Sequence, residues 1–154
     1  MRYLLPLFLL LAAPGFAQID TTTQPMLAMS ATTQQPYSVG GVYYERGSAT
    51  PYTGVLYGRY PNGQYASVQE YVDGVGNGRW INYYPDGAVK EVGTYADNRT
   101  AGPIRQYYPN GQLRAEGRYR HWRRKVGTWT YYDRKGRELR TVEERGAVDQ
   151  DWDD

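Results

Sequence analysis

The residues with the widest chemical reach lie in one short run, "RYRHWRRK", from Arg118 to Lys125. It gathers His121, the single histidine of the chain, with Trp122 and five cations: Arg118, Arg120, Arg123, Arg124 and Lys125. An imidazole titrates near neutral pH and could serve as a general base. That role needs partners, and the 154 residues include no cysteine, no metal-ligand spacing and no phosphate-binding glycine loop. Glu45, Glu70, Glu91 and Glu116 could be read as acids, but Glu91 and Glu116 fall opposite Asn82 and Arg105 in the strand register derived below, which makes them surface pairing partners. The sequence therefore predicts no catalytic residue, no metal and no cofactor, with His121 an exposed polar residue of the Tyr119–Gly127 connection.

Binding is the chemistry this run does suit. Between Arg99 and Arg140 twelve Lys or Arg stand against three acids, a local field that would draw an anionic partner such as lipid head groups or a cell-surface polyanion. Phosphate contacts to nucleic acid use the same cations but are the less favoured use. The indole of Trp122 could sit at a membrane interface. Two other readings compete: a solvated, charged sheet face that blunts edge pairing, and masking by the tail "EERGAVDQDWDD", which carries six acids against one arginine.

Aromatic residues offer a second chemistry. The chain has 17 tyrosines and only 2 phenylalanines. Tyr83, Tyr107 and Tyr132, with Trp80 and Trp129, could form shallow cages for sugars or quaternary ammonium groups. The same rings are also wanted for packing, because a single-layer sheet must build its interior from them.

What elements would hold these groups? Tyr60, Tyr84 and Tyr108 are 24 residues apart, as are Pro61, Pro85 and Pro109, then Gly63, Gly87 and Gly111, then Tyr71, Tyr95 and Tyr119. A fixed period of this length marks a repeat architecture whose units bury their apolar surface against neighbours. "PNG" and "PDG" between aromatic segments are hairpin signals, and a two-residue type I′ turn at Asn110-Gly111 pairs Tyr108 with Leu113, Gln106 with Ala115, Ile104 with Gly117, Tyr107 with Arg114 and Arg105 with Glu116. A three-residue turn with a glycine bulge is the alternative. In the second arm Leu113, Ala115, Gly117 and Tyr119 alternate with Arg114, Glu116 and Arg118, a period of two with one wet face. Gly93 and Gly117 would make room for large side chains opposite. The predicted fold is all-β, an elongated antiparallel meander of repeated hairpins of about 24 residues.

The pattern G-x-W-x-x-Y-Y-x-[ND]-G-x-L, followed by a glycine and a tyrosine, resembles the variant MORN repeats of bacterial proteins, of the kind found in the YwqK-type antitoxin components. The likeness runs over about residues 54–145. It implies a sheet of hairpins with a binding or scaffolding role, sometimes at membranes. The fourth unit departs from the pattern, with Arg134-Lys135-Gly136 at its turn, and one residue is inserted in the connection before it.

Arg2, the run "LLPLFLLLAA" and the small residues Gly15 and Ala17 predict a secretory signal peptide over residues 1–17, cleaved after Ala17. Its removal takes Arg2 and lowers the formal charge from +2 to +1. No cysteine follows, so no lipid anchor is expected, and no later stretch is long and apolar enough to span a membrane. Residues 18–40, rich in Thr, Gln and Pro, read as a disordered tether. Residues 41–145 form the repeat domain, with units over 54–77, 78–101, 102–126 and 127–145, a capping strand at Gly41–Arg46, and an acidic tail over 146–154. The expectation is a non-enzymatic secreted or periplasmic scaffold binding a protein or envelope component through Trp122 and its arginines. An aromatic ligand-binding module and an extracytoplasmic immunity protein are the alternatives, and the oligomeric state is left open.

Overall fold

The computed structural model describes residues 19–148, and among them there is no α-helix. The strands are β1 (Met26–Ala28), β2 (Thr32–Pro36), β3 (Gly41–Glu45), β4 (Gly54–Arg59), β5 (Tyr65–Val72), β6 (Val75–Tyr83), β7 (Val89–Ala96), β8 (Arg99–Tyr107), β9 (Leu113–Arg120), β10 (Arg124–Tyr132) and β11 (Glu138–Val148). From β4 to β11 each strand pairs antiparallel with the next, so four hairpins follow one another in a single sheet. The sheet has nine strands because β1 joins its first edge, parallel to β4. The predicted meander is the observed fold.

The hairpin turns differ from the two-residue prediction. Tyr108 N donates to Gln112 O at 2.9 Å and Gly111 N to Tyr108 O at 2.9 Å, enclosing Pro109, Asn110 and Gly111 in a three-residue loop. Gly111 has φ +81° whereas Asn110 does not have a positive φ, so the turn is type I with a left-handed glycine, not type I′. A bulge at Gln106/Tyr107 then pairs Tyr107 with Leu113 and restores Gln106 to Ala115, Arg105 to Glu116 and Ile104 to Gly117. Proline at the second turn position presets the φ of a type I turn, and the Asn110 carboxamide accepts from Gln112 N at 3.2 Å. The turns at Gly63, Gly87 and Gly136 close on the same bonds.

Neighbouring hairpins are stapled at these turns. The hydroxyl of Tyr60 donates to the carbonyl of Tyr83 at 2.8 Å, that of Tyr84 to Tyr107 at 2.8 Å, and that of Tyr108 to Tyr132 at 2.9 Å. Asn62 and Asn110 add amide bonds to Pro85 O and Arg134 O. In the fourth unit Asp133 takes the position of the repeat tyrosine, and its carboxylate accepts from Lys135 N and Arg137 N within its own turn.

Strand alternation sorts the two faces. One face carries a core of Trp80, Ile104, Ala115, Tyr119 and Trp129, flanked by Tyr95 and Tyr131. Gly93 and Gly117 are where this packing needs them: a Cβ at Gly93 would lie 2.6 Å from Trp80 Cζ2, and one at Gly117 would strike the Trp129 indole. The opposite face holds a second cluster near the first edge, Ile19, Val55 and Val68 with Met26, Tyr57, Tyr65, Ile81 and Tyr83.

The tether expected over 18–40 is instead built into the fold from residue 19 onward. Ile19 and Val39 are buried, β1 covers the edge of β4, and β2 pairs with β3 in a two-stranded ribbon. Specific long-range bonds hold the segment: Tyr52 Oη to Pro25 O at 2.7 Å, Asn98 Nδ2 to Val39 O at 2.8 Å, and Tyr43 N to Gly74 O at 2.8 Å. A few apolar anchors suffice because the segment covers a sheet that already has its own core. The strand expected at Gly41–Arg46 exists, but it lies against the Asp73-Gly74 turn rather than extending the stack; β1 closes that edge. The signal peptide over 1–17 lies outside the described residues. Of the acidic tail, Gly146–Val148 end β11 and the remainder lies outside them.

Candidate binding surface

The inserted residue falls in the β9–β10 turn. His121, Trp122 and Arg123 have φ of 43°, 47° and 58°, three consecutive left-handed residues without a glycine. Such a conformation costs L-residues roughly 1–2 kcal/mol each. The corresponding β5–β6 and β7–β8 turns need only two such residues, Asp73-Gly74 and Asp97-Asn98. What holds the longer turn is Arg123. Its backbone N–H donates to the buried Thr100 hydroxyl at 2.8 Å, and its guanidinium forks onto Glu91, Nη2 to Oε1 at 2.8 Å and Nη1 to Oε2 at 3.1 Å.

Glu91 is fully buried. Its register partner Asn82 is as predicted, but the surface role is not: Glu91 lies on the face of Gly93 and Tyr95, inside the core. Gln106 Nε2 donates to Glu91 Oε1 at 3.1 Å, Arg123 Nη2 to Tyr119 Oη at 3.0 Å, and the guanidinium lies 5.0 Å from the Tyr119 ring. A buried carboxylate is tolerated only when paired and hydrogen-bonded in this way. Lys125 also faces inward, 94% buried, with Nζ 3.3 Å from the Tyr131 hydroxyl and 5.0 Å from the Trp129 ring. Two of the five cations expected on an anion-binding surface are therefore engaged inward, Lys125 buried and Arg123 half-buried on Glu91.

The others are outside. Arg118, Arg120, Arg124, His121 and Trp122 are exposed, the indole at 57%. Register places Arg120 directly opposite Arg124, with Ala101 and Val148 as their outer neighbours, and Arg118 between Pro103 and Val126. Like charges opposite one another destabilise a sheet. Among the described residues none of these three arginines has an ion-pair partner. Arg124 only donates to Gly146 O at 3.3 Å.

The aromatic cage predicted from Tyr83, Tyr107 and Tyr132 does not form with Trp80 and Trp129, which are buried on the opposite face. The three tyrosines are half-buried structural residues. Tyr83 packs in the Val55 and Val68 cluster, and burial, then the nearby Tyr65 phenol, push its hydroxyl up to about 12. Tyr132 donates to Glu116 Oε1 at 2.9 Å, beside the Arg105–Glu116 ion pair of 3.1 Å.

These hairpins can now be compared with known proteins. Residues 77–97 and 102–121 match the MORN repeat variant family. Each MORN match spans one hairpin, β6–β7 and then β8–β9, and the second ends at His121. MORN repeats are a non-catalytic type that generally binds proteins or membranes. No curated protein and no solved structure matches the chain.

Sequence reasoning missed the Glu91–Arg123 pair, although a signal was present: Glu91 alternates in phase with Gly93 and Tyr95, on the apolar face. It also missed the clustering of Tyr43, Tyr71 and Tyr95 beside Trp122 around a cleft of about 270 Å³ between the β2–β3 ribbon and the sheet. Tyr71 and Tyr95 share the 24-residue spacing, but Tyr43 precedes the repeats and Trp122 lies in the β9–β10 turn, so no spacing links those two to them. His121 is exposed, and no group of metal-ligating side chains occurs among the described residues.

Proposed function

We propose that this chain is a secreted or periplasmic, non-enzymatic repeat protein whose β9–β10 turn docks on an anionic surface of the cell envelope. Trp122 is the apolar anchor, and Arg118, Arg120 and Arg124 supply the attraction, with His121 at the tip of the same turn. The observation that carries this reading is the unneutralised set of Arg118, Arg120 and Arg124 on the two strands flanking the turn that exposes Trp122, a strained turn held by the Arg123–Glu91 pair. A fold gains no stability from setting Arg120 against Arg124, so a partner that supplies the missing anions accounts for both the charge and the strain.

The test is sedimentation of residues 18–154 with vesicles of phosphatidylglycerol or of phosphatidylcholine alone, over a range of salt. A triple variant, Arg118→Ser, Arg120→Ser and Arg124→Ser, and the variant Trp122→Ala leave Arg123 and Lys125 in the core. Binding to the anionic vesicles that fades with salt and weakens at least tenfold in the triple variant is expected, since each cation near such a surface contributes about 1 kcal/mol. Equal binding by the triple variant, or none by the parent chain, would overturn the reading.

A further inference from the structure

The cleft beside Trp122 has a composition unlike the basic face. Tyr43 of β3 and Tyr71 of β5 stand at 72° with centroids 5.2 Å apart, two walls of a corner. Tyr95 of β7 and Trp122 of the β9–β10 turn complete an aromatic surround, and Gln34 and Gln69 contribute amides. No charged side chain lines it. The three phenols converge: burial first, then the Tyr43 and Tyr95 phenols, push the Tyr71 hydroxyl well above its ordinary value. The charged groups that act on Tyr95, Arg123 and Glu91, are forked onto each other.

Elsewhere the protein places its own cations over its rings. Arg59 lies 4.2 Å from the Tyr65 centroid, Arg140 4.6 Å from Tyr131, and Lys125 and Arg134 sit over Trp129 and Tyr108. Among the described residues none lies over Tyr43, Tyr71, Tyr95 or Trp122. Four aromatic side chains line one small, uncharged space, and their π systems would attract a cation that enters it. At about 270 Å³ the space is below the roughly 300–1,000 Å³ of pockets for drug-sized ligands, which limits the occupant to a small group.

We propose that this cleft is an aromatic cage for a methylated ammonium group, bound by cation–π attraction to Tyr43, Tyr71, Tyr95 and Trp122. The group could arrive as a free quaternary amine or as a choline head group in a lipid surface. The site goes beyond the basic face and shares only Trp122 with it. The N-terminal ribbon is required, because Gln34 and Tyr43 come from it.

The experiment is saturation-transfer NMR on the methyl protons of choline and tetramethylammonium with residues 18–154, beside 3,3-dimethyl-1-butanol, the neutral isostere of choline. Binding of both cations, with the neutral alcohol weaker by roughly fivefold to thirtyfold, is expected for a cation–π site. The exposed Trp122→Ala should weaken choline by a similar factor, as should Tyr43→Leu once its circular dichroism matches the parent. The triple arginine variant should bind choline normally, which separates this site from the surface reading. Added phosphatidylcholine vesicles that compete with choline identify a lipid source, and vesicles without effect identify a free amine. No cation signal, or equal binding of the alcohol, would overturn the proposal.

Discussion

Arg123 does two things at once: its side chain neutralises Glu91 in the core, and its backbone ends the turn that holds Trp122 in solvent. Removing one partner of such a pair strands the other charge. Arg123→Met is expected to cost about 3–5 kcal/mol in urea denaturation, whereas Glu91→Gln with Arg123→Met should recover part of that loss. A cost below about 1 kcal/mol for the single change would mean that the pair does not hold the turn. The basic run was legible in the sequence as a concentration of charge. Its division into inward Arg123 and Lys125 and outward Arg118, Arg120 and Arg124 was not, because three left-handed residues in one turn set which way each side chain leaves it. A second prediction concerns the buried phenols. Tyr83 holds its proton to about 12 in the fold against about 10 when unfolded. Its contribution is thus complete below pH 10 and is lost as pH rises from there through 12. Urea midpoints should fall across that interval, and Tyr83→Phe should show the smaller fall.

At the level of the hairpin, the second arm was readable because its alternation and Gly117 each have a single physical reading, one wet face and room for a large side chain. The register pointed to Ile104 opposite, and the side chain over Gly117 is the Trp129 indole. The turn was not readable, since a type I′ loop and a type I loop with a bulge use the same Pro-Asn-Gly letters. For Tyr60, Tyr84 and Tyr108 the sequence shows only a shared period, and the structure adds what they do. Each staples the following hairpin. Tyr84→Phe keeps the ring and removes the bond to Tyr107 O, so a loss of about 0.5–1.5 kcal/mol is expected, with the spectrum of the sheet retained. An unchanged melting curve would leave the staple without energetic weight.

For the molecule as a whole, residues 19–40 were the least legible part. Their composition is that of a disordered segment, and the contacts that order them reach to Tyr52 and Asn98, distances over which a sequence carries no periodic signal. Deleting the chain before residue 47 would uncover the β4 edge and the Val55 and Val68 cluster, the conditions under which sheets pair edge to edge. Sedimentation velocity of the deleted chain should therefore show dimers or larger species that the full chain lacks; a monomer of unchanged stability would contradict the role given to β1. The tyrosine staples have a further consequence. Every one runs from an earlier turn to a later carbonyl, so the array has a polarity, and Asp133 stands where the next donor would be. A carboxylate engaged with its own turn has nothing to hand onward. The length of the stack is thus written into residue 133: a fifth hairpin grafted after β11 would find no grip on its predecessor unless a phenol were restored there.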